Sequence, residues 1–108
     1  MSEVNASALS ALSTVQQVSA NNIANVNTDG FQPSSVGLET GPEGQGVRVG
    51  SINQSSEQGP VIDGVELSNT DLGTEMVDMM TTSRAFSANT AAIRVSEQMT
   101  GHLLNMVA

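Results

Sequence analysis

The chain has no cysteine, no tryptophan and no tyrosine. Without cysteine it can form neither a disulfide nor a thiolate metal site. Its only aromatic residues are two phenylalanines. Large aromatics supply much of the burial in a small core, so the isolated chain is expected to be weakly stable. Leu, Ile, Val and Phe number 7, 4, 12 and 2. That total lies only just above the ~20% below which charged chains stay disordered. There is no lysine, only three arginines, and a net charge of −8. Such a chain repels a nucleic-acid backbone and an anionic membrane surface. No stretch approaches the ~20 consecutive apolar residues that a bilayer-spanning helix needs. The N-terminus lacks the basic and apolar regions of a cleavable secretory signal, so if the chain leaves the cytoplasm it is expected to do so by another route. At 108 residues the chain is one domain at most.

Two amphipathic segments at opposite ends dominate what is present. The first helix is expected over residues 4–26. Val4, Ala8, Ala11, Val15, Val18 and Asn22 follow a 4-3-4-3-4 spacing. Leu9, Leu12, Ser19, Ile23 and Val26 form an adjacent stripe interrupted by Gln16. The wide, heptad-like face is rich in small residues that allow close helix approach. Asp29-Gly30 should stop it.

The second helix is expected over residues 69–107. Ser68 reads as its N-cap with Asp71 three positions on, and Leu67 and Leu72 as a hydrophobic staple. Asp71 and Glu75 suit the positive end of the helix dipole. Leu72, Met76, Met79, Ser83, Phe86, Thr90 and Ile93 form the apolar stripe, which then shifts register to Ser96, Met99, Leu103 and Met106. The two helices would measure ~35 and ~58 Å, leaving part of the longer one without an intramolecular partner. Between them, residues 32–66 hold all three prolines and most of the glycines. This insert reads as loop, with a strand at 46–52 and a second at 61–67 that could pair with it as an antiparallel hairpin.

Few residues suggest chemistry. His102, the only histidine, has no metal-ligand spacing around it and reads as structural. Capping and dipole effects account for Asp71, Glu75 and Asp78 better than a divalent ion does. Gly41, Gly44 and Gly46 lack the lysine and following helix of a phosphate loop. Arg84 is either a solvated charge or an intersubunit partner. Phe86 reads as a packing anchor, and the methionines as adaptable core or as a surface that repacks against differing neighbours. Asn21, Asn22, Asn25 and Asn27 are poor helix formers in a helical segment. Two readings stay open for them. They are a helix end fraying into an Asx-type turn, or Asn22 and Asn25 hydrogen-bond across a helix interface and set its register.

The segment from Ser19 to Phe31, SANNIANVNTDGF, resembles the N-terminal signature of bacterial flagellar rod, hook and hook-associated axial proteins. Asn69 to Asn105 resembles the C-terminal signature of the same family, through Asp71-Leu72, Glu75-Met76-Val77, Arg84-Ala85-Phe86, Ala88-Asn89, Ile93-Arg94, Met99 and Leu103-Leu104. The short middle segment makes the chain most similar to a short proximal rod protein. Gln32 departs from the family, which often has Lys or Arg there.

The resemblance implies a mainly α fold, with two terminal helices pairing as an antiparallel-like coiled coil around a loop-rich β-hairpin insert. The segments are 1–31, 32–66 and 67–108. It implies a structural rod subunit, not an enzyme, with no cofactor, metal or small-molecule substrate. Partners would be other rod or axial subunits and the flagellar export apparatus, in the periplasm-spanning rod of the basal body. The stripes and the signatures together mark an assembly interface of Leu12, Val15, Asn22, Ile23, Asn25, Asn27, Gly30, Phe31, Leu72, Met76, Met79, Phe86, Ile93, Met99 and Leu103. A soluble helical binding module or export chaperone would need the same exposed stripes, but has no need of the asparagine-rich signature.

Overall fold

The computed structural model describes residues 2–107, so the outermost positions of both terminal segments, Met1 and Ala108, lie outside the described residues. Two helices frame the molecule: α1 spans Ser2–Ala24 and α2 spans Leu72–Val107. Between them come β1 (Ser34–Thr40), a tight turn at Pro42–Gly44, β2 (Val47–Gln54), β3 (Val61–Ile62) and β4 (Val65–Glu66). The fold is mainly α with a small β insert, as expected. It is long and thin, with extents of 74 × 26 × 13 Å.

Each helix is shorter at its signalled end than the spacing suggests. α1 stops at Ala24, and residues 25–31 continue as turns closed by Val26 N–H to Ile23 O, Thr28 N–H to Asn25 O and Phe31 N–H to Thr28 O. α2 begins at Leu72 because Asp71, not Ser68, is the N-cap. The Asp71 carboxylate accepts from Thr74 N–H at 3.2 Å, and its carbonyl accepts the first helical bond from Glu75 N–H at 3.0 Å. Ser68 instead accepts from Thr70 N–H in a local turn. With the cap three residues later, Leu67 and Leu72 no longer occupy the two staple positions.

The helices run antiparallel: Asn22 near the end of α1 meets Glu75 near the start of α2, and Asn5 meets Asn89. α1 is therefore used up about one turn beyond Asn89, and α2 continues alone. From Glu97 to Met106 every side chain is exposed. The seam itself contains little apolar burial. Among the described residues, Ala11 is the fully buried hydrophobe, and the other buried side chains are Ser19, Asn22, Glu75 and Thr82.

The insert differs most from the sequence reading. β2 lies where a strand was expected, but its antiparallel partner is β1, with Ser34 opposite Gln54 and Thr40 opposite Val47. A bulge between Gly37 and Leu38 bends this hairpin. Residues 61–67 are not one strand. Asp63 and Gly64 both take positive φ (53° and 81°) and fold the segment into its own two-residue hairpin. Positive φ at both central positions is the requirement of a type I′ turn, which Asp-Gly satisfies best. The β1–β2 hairpin lies against α1. Gly59 is buried where the following loop crosses the approach to α2; a Cβ there would run into the Leu67 carbonyl oxygen.

Candidate assembly surface

Asn22 is the most buried side chain described, at 1% exposure. Its Nδ2 donates to Ser34 O at 2.8 Å and to Glu75 Oε1 at 2.7 Å, while its Oδ1 accepts from Ser34 N–H at 3.0 Å. Both amide donors and the acceptor are thus engaged, on the first residue of β1 and on α2. Of the two readings of the asparagines, Asn22 follows the cross-helix one. Asn25 follows the other: its amide donates to Asn21 O at 2.9 Å and its carbonyl accepts from Thr28 Oγ1 at 3.0 Å, closing the helix end locally. Asn27 and Gly30 are exposed; Gly30 takes a positive φ of 72° and donates its N–H to Glu66 O. Phe31 is half-buried and its carbonyl accepts from Asn69 N–H, tying the two signature segments together.

The structure sorts the remaining marked residues into two groups. Leu12, Val15 and Ile23 on α1, with Met79 and Ile93 on α2, are half-buried along the seam. Leu72, Met76, Phe86, Met99 and Leu103 are exposed. The face of α2 turned to α1 runs through Glu75, Met79, Thr82, Asn89, Thr90 and Ile93. It takes in Met79, Thr90 and Ile93 of the expected apolar stripe and leaves Leu72, Met76 and Ser83 exposed. A shallow groove of about 260 Å³ between the helices is lined by Leu12, Ser13, Gln16, Thr82, Ser83, Phe86 and Ser87.

Two exposed apolar patches result. One, at the start of α2, comprises Leu72, Met76, Val77 and Met80. The other, on the unpaired end, comprises Val95, Met99, Leu103 and Met106, with Met99 at 61% and Leu103 at 60% exposure; Leu104 is exposed on the opposite side of the helix from Val95. Contiguous apolar patches rimmed by polar residues mark interaction sites. Val77, Val95 and Leu104 lie off the strict 4-3 spacing, so only the family signature named Val77 and Leu104, and nothing marked Val95. Ser34 carried no signal at all, and Glu75 was legible as a dipole partner and a signature residue, not as a seam contact.

Outside α2 the insert also exposes Leu38, Ile52, Val61, Ile62 and Val65 among its polar residues. The insert carries Glu39, Glu43, Glu57, Asp63 and Glu66 against Arg48, which faces Glu39 across the hairpin at 2.6 Å. Among the described residues no group of three His, Asp or Glu side chains is placed to hold a metal ion. No described helix is long and apolar enough to cross a membrane.

Two family models match the chain. Residues 3–32 match the flagella basal body rod protein family, and residues 64–106 match the C-terminal region of the flagellar basal body rod FlgEFG proteins. The matches occupy α1 with its following turns, and α2 with the segment leading into it. No curated protein matches the chain. Both models describe components of the flagellar basal body rod, and they leave out only the insert and the extreme termini. With both terminal signatures present, in order and covering about two-thirds of its length, the chain belongs to the flagellar basal body rod and axial protein family.

Proposed function

We propose that the chain is a structural subunit of the flagellar rod that assembles through its two terminal helices. The observation that carries this reading is the length mismatch. α2 outruns α1 and leaves Val95, Met99, Leu103 and Met106 as an apolar strip exposed among the described residues. Helices that bury an apolar stripe against a neighbour gain stability that isolated helices lack. Adjacent rod or axial subunits would cover the strip and the patch at Leu72, Met76 and Met80. The methionines suit this role because their flexible side chains repack against neighbours that are not identical. Delivery would be by the flagellar export apparatus, as the family resemblance implies.

Deleting the gene and imaging isolated basal bodies tests the proposal. Rods should be missing or truncated, and the full chain should restore them, whereas the chain lacking residues 95–107 should not. Intact rods in the deletion strain would overturn it. Removal of α1 gives the contrast with a chaperone: a rod subunit should lose incorporation, while a chaperone should still hold its client.

A further inference from the structure

We infer that Asn22 is a three-way latch that makes docking of the insert and docking of α1 on α2 one all-or-none event, with a single register. The seam has little apolar burial to set its register. Its buried residues are Ala11, Ser19, Asn22, Glu75 and Thr82. Apolar burial of this kind is small and non-directional, and it does not distinguish one register from another a turn away. Hydrogen bonds of a buried amide do, because each unmade bond leaves a buried group unpaired. The Asn22 amide touches Ser34 on both its N–H and its carbonyl, and Glu75 with its second amide hydrogen. A shift of α1 by one turn, ~5.4 Å, would break all three contacts together.

A second set of contacts pins the far end of α1. Ser7 Oγ accepts from Val47 N–H at 3.1 Å, and Asn89 donates to Asn5 O at 3.2 Å. At both ends α1 is bonded to the hairpin and to α2: by two bonds and one at Asn22, and by one each at Ser7 and Asn5. The hairpin and α2 are thus both fastened to α1 at each of its ends. Two-stranded hairpins are marginal in water alone, and so is a helix pair with so thin a core. Asn22 acts as a positioning residue. It fixes how far α2 protrudes beyond α1, and this consequence for assembly rests on the function proposed above. The latch itself does not.

Amide hydrogen exchange on the isolated full-length chain tests the latch in both directions. Ser34→Pro removes the N–H that Asn22 Oδ1 accepts and alters only the insert. It should lower protection at residues 11–22 and 75–89 as well as in the hairpin, by at least ~10-fold in each, the effect of one unpaired buried group. Wild-type protection in the helix seam would overturn the inference. The reverse test starts at the helices. Glu75→Gln keeps an accepting Oε1 and should leave protection near wild type. Asn22→Asp sets a carboxylate against Glu75 and should open hairpin and seam together. In the double variant, Asn22→Asp with Glu75→Gln, the amide introduced on α2 can donate to the carboxylate introduced on α1, so part of the seam protection should return. Loss confined to the hairpin in Asn22→Asp, or no recovery in the double variant, would contradict it. Ala11→Gly, which loosens α1 without touching the latch, probes the same coupling from another site: protection should fall in α1, the seam and the hairpin alike, and loss confined to α1 would contradict the inference. None of these readouts requires a rod, so they fail or succeed independently of the proposed function.

Discussion

Replacing Met99 and Leu103 together by glutamine should leave the fold of the chain intact and abolish its incorporation into the rod. Both side chains lie on the part of α2 that α1 does not reach, at 61% and 60% exposure. Full burial of a Met or Leu side chain is worth ~1.5–3 kcal/mol, so covering the part still exposed would contribute ~1–2 kcal/mol each. Losing both therefore removes ~2–4 kcal/mol from docking, about a 30- to 1000-fold weakening. Unpaired amides in the contact would weaken it further. Glutamine is a good helix former, and surface substitutions of this kind usually lie within ~0.5 kcal/mol. Two such changes amount to at most ~1 kcal/mol, so the melting temperature of the isolated chain should move by no more than ~4–8 °C. The assay pairs a circular-dichroism melt with quantification of the variant in purified basal bodies of a complemented deletion strain. Normal incorporation would refute the reasoning. So would a large drop in melting temperature, since it would mean that these residues already pack within the chain.

Further expectations concern the elements that hold the fold. Asp71→Ala should lower stability by ~1 kcal/mol in a urea titration, as loss of an N-cap does, whereas Ser68→Ala should change it by much less. Equal effects would place the helix start elsewhere. Gly59→Ala should cost ~1–3 kcal/mol, because its Cβ would overlap the Leu67 carbonyl oxygen and the loop must move; a neutral result would mean the loop is not held against that segment. Arg48→Ala should cost no more than ~1 kcal/mol, and the difference should shrink at high salt, since the ion pair with Glu39 is solvent-exposed.

The helices were legible because their apolar residues recur at helical spacing over many turns; their ends were less so, since α1 stops at Ala24, ahead of Asp29-Gly30, and Asp71 rather than Ser68 caps α2. The overhang was legible for the same reason: two stretches of unequal length leave an unpaired end when they pair. The direction in which α2 faces α1 was not legible. Spacing arguments assume that apolar residues turn inward, yet here Glu75 and Thr82 do, drawn by the Asn22 amide and a thin seam. The asparagines divided in a way no pattern could show. Asn22 crosses to Ser34 and Glu75 while Asn25, one turn on, closes its own helix end. In the insert, β1 was invisible because Ser34–Thr40 contains a glycine and no clean alternation. Asp63-Gly64 carried a strong turn signal, but the alternation of Val61, Val65 and Leu67 around it reads equally as one strand. The pairing of β1 with β2 depends on the contacts of both with α1, a tertiary effect outside the reach of local sequence.

The absence of native cysteine makes the most direct measurement simple. A single Leu103→Cys substitution gives one thiol on the unpaired end of α2, whose reaction with a maleimide can be timed in the isolated chain and in purified basal bodies. If neighbouring subunits cover this strip, the thiol reacts readily in solution and is strongly protected in the rod. Equal reactivity in both would show that the strip stays open after assembly and would contradict the account.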